Sequence, residues 1–197
     1  MALILASASP RRQELLRNAG IVFTVQAANI AEAPIAGESP QACATRLALH
    51  KTRAVCQQRP AEYVLGADTI VVVNGEVLGK PRDEEDARRM LHLLSGRTHE
   101  VITGVCLAGP EQGTRTSVLL PAFEDTRFER TAVSMSALTD EDIRQYVATR
   151  EPEDKAGAYA IQGLASRWIH RIEGDYFNVV GLPVALVYRM LREHGVI

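Results

Sequence analysis

Apolar and polar positions along the chain change period repeatedly, and each change predicts an element. Leu3-Ile4-Leu5-Ala6 is an unbroken apolar run of strand length, and Ser9-Pro10 then supplies a helix cap with proline in the first turn. That helix is predicted to run to about Asn18 and to stop at Gly20, with a second strand over Val22 to Gln26. Residues Asn29 to Gly37 read as a surface loop holding Glu32. Ser39-Pro40 repeats the cap signal before Ala44, Leu47, Ala48, Lys51, Ala54 and Val55, which recur at helical spacing to about Gln57.

Tyr63 to Val73 is an apolar run interrupted by Gly66-Ala67-Asp68-Thr69, and Asn74-Gly75 predicts a tight hairpin into Glu76-Val77-Leu78. Asp83 is placed to cap a helix through Leu94, closed by Ser95-Gly96, and strand character returns over Val101 to Ala108. Residues 109 to 117 form a polar connection, followed by strand patterning through Ser134. Thr139 and Asp142 form a capping-box pattern for a helix to about Thr149. A polar loop at 151 to 155 precedes a strand over Trp168 to Ile172, a turn at Gly174-Asp175 and an amphipathic helix from Pro183 to Arg192. The alternation predicts an α/β or α+β fold on a mixed, largely buried sheet, built as one continuous domain over residues 1–197.

Composition narrows the function classes. The 197 residues are 46% hydrophobic and 23% charged, ordinary values for a folded domain. With a net charge of -2 and a pI of about 6.2 the chain has no global positive field for a nucleic-acid backbone, so an anionic ligand must be gripped locally. No apolar run approaches the roughly 20 residues of a membrane span, so no membrane partner is expected, and the chain reads as soluble and cytoplasmic. Cys43, Cys56 and Cys106 lack metal or redox spacing and are expected to be reduced core thiols.

Ser7-Ala8-Ser9-Pro10-Arg11-Arg12 puts hydroxyls, guanidiniums and unpaired helix N–H groups together, which suits a phosphate; a simple cap flanked by solvated arginines is the other reading. Asp68 lies in an apolar run, where a carboxylate must be paired, hydrogen-bonded or metal-bound, or else cap a bend at a strand end. Lys51 lies near an apolar stripe, where it either snorkels or reaches a ligand. The stretch Gly75 to Pro81 fails as a P-loop: its glycine spacing is one residue short, and Pro81 stands where a magnesium-binding Ser or Thr belongs. Gln162 could read a ligand edge with its amide or satisfy its own backbone. The five histidines show no metal spacing, and no G-x-S-x-G elbow is present.

Taken together, Ala6 to Leu16, Gly66-Ala67-Asp68-Thr69, Gly79-Lys80-Pro81-Arg82-Asp83, Ser95-Gly96, Asp154 to Tyr159, Ile161-Gln162-Gly163 and Val180-Gly181-Leu182-Pro183 resemble the signatures of the Maf family of nucleoside triphosphate pyrophosphatases. The resemblance covers nearly the whole chain. It implies an elongated α/β fold with a mixed central sheet flanked by helices, similar to inosine-triphosphate pyrophosphatases. It also implies hydrolysis of a nucleoside triphosphate to monophosphate and pyrophosphate with a divalent cation, magnesium or manganese. Carried over by motif, Asp68 is the proton acceptor and a metal ligand with Glu32, while Ser7, Arg12, Lys51 and Lys80 hold phosphates.

Arg11, Thr69 and Gln162 match the family's dTTP/UTP subgroup, where a methyl-GTP subgroup carries tryptophan, glutamine and glutamate. An amide suits the donor-and-acceptor edge of a pyrimidine. The resemblance further favours a homodimer, and a nucleotide-binding regulator of cell division with little turnover is the alternative function. Two departures stand out: Ala31 replaces a commonly acidic residue before Glu32, and the segment from Gly109 to Glu124 is longer than usual.

Overall fold

The computed structural model describes residues 2–31, 33, 35–110 and 121–197. Among these residues a seven-stranded sheet runs in the order β2-β1-β3-β5-β6-β7, with β4 paired to β3. The strands are β1 (Leu3–Leu5), β2 (Thr24–Val25), β3 (Tyr63–Val73), β4 (Glu76–Leu78), β5 (Thr98–Gly109), β6 (Phe123–Met135) and β7 (Ile169–Glu173). The helices are α1 (Pro10–Asn18), α2 (Pro40–Cys56), α3 (Glu84–Leu94), α4 (Asp140–Ala148), α5 (Tyr176–Val180) and α6 (Val184–Glu193). The sheet is mixed: β1 pairs parallel with β2 and β3, while the β3–β4 and β6–β7 pairs are antiparallel. The fold is α/β, as expected.

The chain divides into two compact units. The first comprises residues Met1–Asp68, Thr103–Glu129 and Gly181–Ile197, and the second Thr69–Ile102 and Arg130–Val180. In the first, α2 packs on the sheet through Ala44, Leu47, Ala48 and Val55, all buried. Two glycines permit this close approach. A Cβ on Gly104 would lie 2.3 Å from the Ala44 carbonyl oxygen, and one on Gly66 would lie 2.3 Å from Thr52 Oγ1 and 2.6 Å from the Ala48 carbonyl oxygen. In the second unit, Ala87, Met90, Leu91 and Leu94 form the buried stripe of α3, and α3 packs against α4.

Local signals formed as read. Ser9, Ser39, Asp83 and Thr139 each cap a helix through the side chain, and Thr139 with Asp142 completes a capping box. Asn74 and Gly75 both take positive φ in the hairpin between β3 and β4. All three cysteines are buried and unbridged, and burial pushes the Cys56 thiol up to about 12.

Four expectations change. The strand expected over Val22 to Gln26 contracts to Thr24–Val25, because it lies at the sheet edge and Val22 is 88% exposed. The sheet is not buried throughout: none of the first eight residues of β6 is buried, and charges there pair at the surface, as in Arg53–Glu124 and Arg127–Asp125. Tyr176–Val180 adds a short helix directly after the turn read at Gly174-Asp175, where no element was expected. Most consequentially, Gly66 to Thr69 does not interrupt β3, which is one strand of eleven residues with Asp68 in its interior. Most of the long polar connection, residues 111–120, lies outside the described residues.

Candidate active site

Asp68 is buried within β3, so its carboxylate needs a partner close by. Lys51 provides it from the fourth turn of α2: its Nζ donates to Asp68 Oδ1 at 2.6 Å, with both side chains about nine-tenths buried. The small-residue contacts at Gly66 and Gly104 seat α2 close on β3 and β5, and the pair forms across that close approach. This excludes the strand-end bend for Asp68 and the snorkelling reading for Lys51, because neither side chain ends in solvent.

The parallel register, with Leu5 opposite Leu65 and Ala6 N–H donating to the Leu65 carbonyl at 2.8 Å, carries Ser7 to the end of β1 that faces Asp68's end of the β3 segment. Ser7 is buried and its Oγ accepts from Ser9 N–H at 3.3 Å and from Arg12 Nη1 at 3.1 Å. Arginine in the first turn of a helix opposes the helix dipole and requires compensation. Here the Gly181 carbonyl supplies it, accepting from Arg12 Nε at 2.8 Å, and Arg12 is buried while Arg11 is half-buried. The junction of β1 and α1 thus holds a fixed hydroxyl and a fixed guanidinium, groups whose chemistry suits a phosphate.

The other expected residues lie elsewhere or outside the description. Thr69 is half-buried in β3, Lys80 is exposed after β4, and Gln162 is exposed in a turn closed by Gly163 N–H donating to the Ala160 carbonyl at 3.1 Å; all three belong to the second unit. Glu32 lies outside the described residues. Sequence reading missed the Gly181 carbonyl as the anchor of Arg12, although the stretch Val180 to Pro183 was among the signatures singled out.

A hard divalent cation is compatible with Asp68, whose carboxylate offers oxygen donors. Among the described residues no group of three or more His, Cys, Asp or Glu side chains forms a complete protein cage. The chemistry present matches magnesium-type binding, in which one or two carboxylates act together with substrate phosphates.

The fold is similar to a solved structure of a HAM1 protein from Coxiella burnetii, with a TM-score of 0.54 at 17% identity, over 98% of this chain and 100% of that one. The chain is 55% identical to a dTTP/UTP pyrophosphatase of Koribacter versatilis over 100% of this chain and 96% of that protein. Proteins of the same name from Symbiobacterium thermophilum and Bacillus cereus are 50% and 44% identical, each over 98% of this chain and 94% and 96% of theirs. The α/β sheet and these relatives define an enzyme of the pyrophosphatase class. More narrowly, the family model described as Maf-like protein matches residues 2–194, and the chain belongs to the Maf family.

Proposed function

We propose that this protein hydrolyses dTTP and UTP to the nucleoside monophosphate and pyrophosphate, with Asp68 as the proton acceptor. The buried Lys51–Asp68 pair carries the reading: a carboxylate inside a strand, held among the described residues by one ammonium, is a costly arrangement that a purely structural strand has no use for. The names of the relatives support the substrate class.

In the proposed reaction a water oxygen attacks the α-phosphorus, its proton passes to Asp68, and the bond from the α-phosphorus to the bridging oxygen breaks as pyrophosphate leaves. Lys51 donates to Oδ1 and thereby fixes the carboxylate, which leaves Oδ2 to take the water proton. Ser7 and Arg12 hold phosphate oxygens at the head of α1, where their positions are already set by Ser9 N–H and the Gly181 carbonyl. Lys80 adds positive charge for the triphosphate. Asp68 and Glu32 would hold a magnesium or manganese ion, which supplies charge neutralisation along the phosphate chain. Arg11, Thr69 and Gln162 select the base, with the Gln162 amide offering one donor and one acceptor to a pyrimidine edge. The proposal treats the two units as a single working domain over residues 1–197, active as a homodimer in the cytoplasm. Light scattering that finds only the 21.6 kDa chain would remove the dimer from it.

The test is a product analysis with dTTP, UTP, methyl-GTP and the common nucleotides in magnesium or manganese. Monophosphate and pyrophosphate, formed fastest from dTTP and UTP, are expected. Diphosphate with phosphate, or a preference for methyl-GTP, contradicts the proposal. Tight binding without turnover would favour a regulatory nucleotide-binding role.

A further inference from the structure

The turn Ala160-Ile161-Gln162-Gly163 presents Gln162 to solvent, yet it is held at both ends by side chains that follow or belong to α4. Ala160 N–H donates to Tyr146 Oη at 3.1 Å, and Leu164 N–H donates to Glu151 Oε2 at 3.2 Å. The two anchors are themselves joined, since Tyr146 Oη donates to Glu151 Oε1 at 2.8 Å. Tyr146 is completely buried and packs edge-on against Trp168, with ring centroids 5.3 Å apart, so its hydroxyl is fixed by the core. Glu151 is fixed in its turn: its N–H donates to Thr149 Oγ1 and its carbonyl accepts from Lys155 Nζ at 2.6 Å. The fit leaves no slack, because a Cβ on Gly163 would lie 2.4 Å from both carboxylate oxygens of Glu151.

We infer that Tyr146 and Glu151 are positioning residues that clamp the 160–163 turn and thereby set the aim of the Gln162 amide and the enzyme's preference for a pyrimidine base. The inference rests on the reading of Gln162 as a base-selecting residue. An amide selects a base edge only if its donor and acceptor are held in one orientation; on a loose turn it would pair with several edges and discriminate among none. Burial raises the Tyr146 phenol above its ordinary range, so the hydroxyl keeps its proton and goes on donating to Glu151 as pH rises. The glycine requirement at 163 has the same origin. Any side chain there must displace the end of Glu151, a flexible group, and so breaks the clamp without disturbing the core.

The experiment compares kcat and KM for dTTP and dGTP in wild type, Gln162→Ala, Tyr146→Phe, Glu151→Ala, Glu151→Gln and Gly163→Ala, each with its Tm. Tyr146→Phe, Glu151→Ala and Gly163→Ala should each raise KM for dTTP about tenfold and lower the dTTP-over-dGTP preference by a similar factor, with kcat within about twofold. Glu151→Gln retains an acceptor for Leu164 N–H and should recover most of the preference. Joined to Gln162→Ala, Tyr146→Phe should lower the preference no further, because both act through one amide. If Gln162→Ala destroys the preference while the folded clamp variants keep it, the clamp inference is wrong and the reading of Gln162 survives. If Gln162→Ala keeps the preference, that reading fails first and the inference with it. A fall in kcat and Tm with an unchanged preference assigns the network to stability alone. Should Tyr146→Phe fail to fold, Gly163→Ala, which leaves the core intact, decides.

Discussion

Two buried aspartates in this molecule are held by cations in opposite ways. Asp86, in the first turn of α3, is saturated: Oδ2 accepts from Arg82 N–H and Nε, and Oδ1 accepts from Arg89 Nε. The Arg82 guanidinium, helped by Arg89, holds its carboxyl down at about 2. Asp68, in the middle of β3, is held by Lys51 at Oδ1. Asp86 lies under exposed arginines at a helix start, where a negative charge also favours the helix dipole. Its arrangement leaves no role for proton exchange, whereas a carboxylate held, among the described residues, through one oxygen suits the proposed contact with a water. On the proposed reading of Asp68, sequence proximity to basic residues does not mark the chemical aspartate; the distribution of donors over its two oxygens does.

The comparison breaks most sharply at Asp68 itself. Asp68→Asn still accepts from Lys51 and should fold with nearly unchanged Tm, but its turnover of dTTP should fall about 10²–10⁴-fold in a product assay. Lys51→Met leaves Asp68 buried without its cation and should cost about 3–5 kcal/mol in urea unfolding, together with most of the activity. Gly66→Ala drives a Cβ toward the Ala48 carbonyl and Thr52, which should push α2 outward, cost about 1–3 kcal/mol and lower kcat by carrying Lys51 away from Asp68.

Asp86→Ala should have the smallest effect, with unchanged turnover and a modest loss of stability at neutral pH that shrinks on acidification. The folded value near 2 lies below the ordinary 3.8. The stability that the ionised carboxylate contributes is therefore complete above about pH 4 and is lost as pH falls through about 2. Wild type should lose more stability than Asp86→Ala across that window, as measured by unfolding at each pH.

Much of the scaffold was legible because its signals are local. Caps at Ser9, Ser39, Asp83 and Thr139 act within one helical turn, and the Asn74-Gly75 hairpin acts within four residues. What escaped depends on contacts distant in sequence. Gly66 looked like a strand breaker because glycine alone is ambiguous, yet its small size is required by α2, which passes over β3 at Ala48 and Thr52. The same crossing turns Lys51 from a residue beside an apolar stripe into the partner of Asp68. Arg12 was recognisable as a phosphate candidate, but its anchor at Gly181 is 169 residues away and uses a backbone carbonyl, which no side-chain pattern announces. The exposed start of β6 misled for the complementary reason: its strand patterning is real, but it does not reveal that the first eight residues lack cover.

The most direct measurement of the central claim is hydrolysis of dTTP in water enriched in ¹⁸O, with mass analysis of both products. Attack at the α-phosphorus under the control of Asp68 places the label in dTMP and leaves pyrophosphate unlabelled, with Asp68→Asn forming neither at an appreciable rate. Label in pyrophosphate, or labelled dTMP formed by Asp68→Asn at the wild-type rate, would contradict the account.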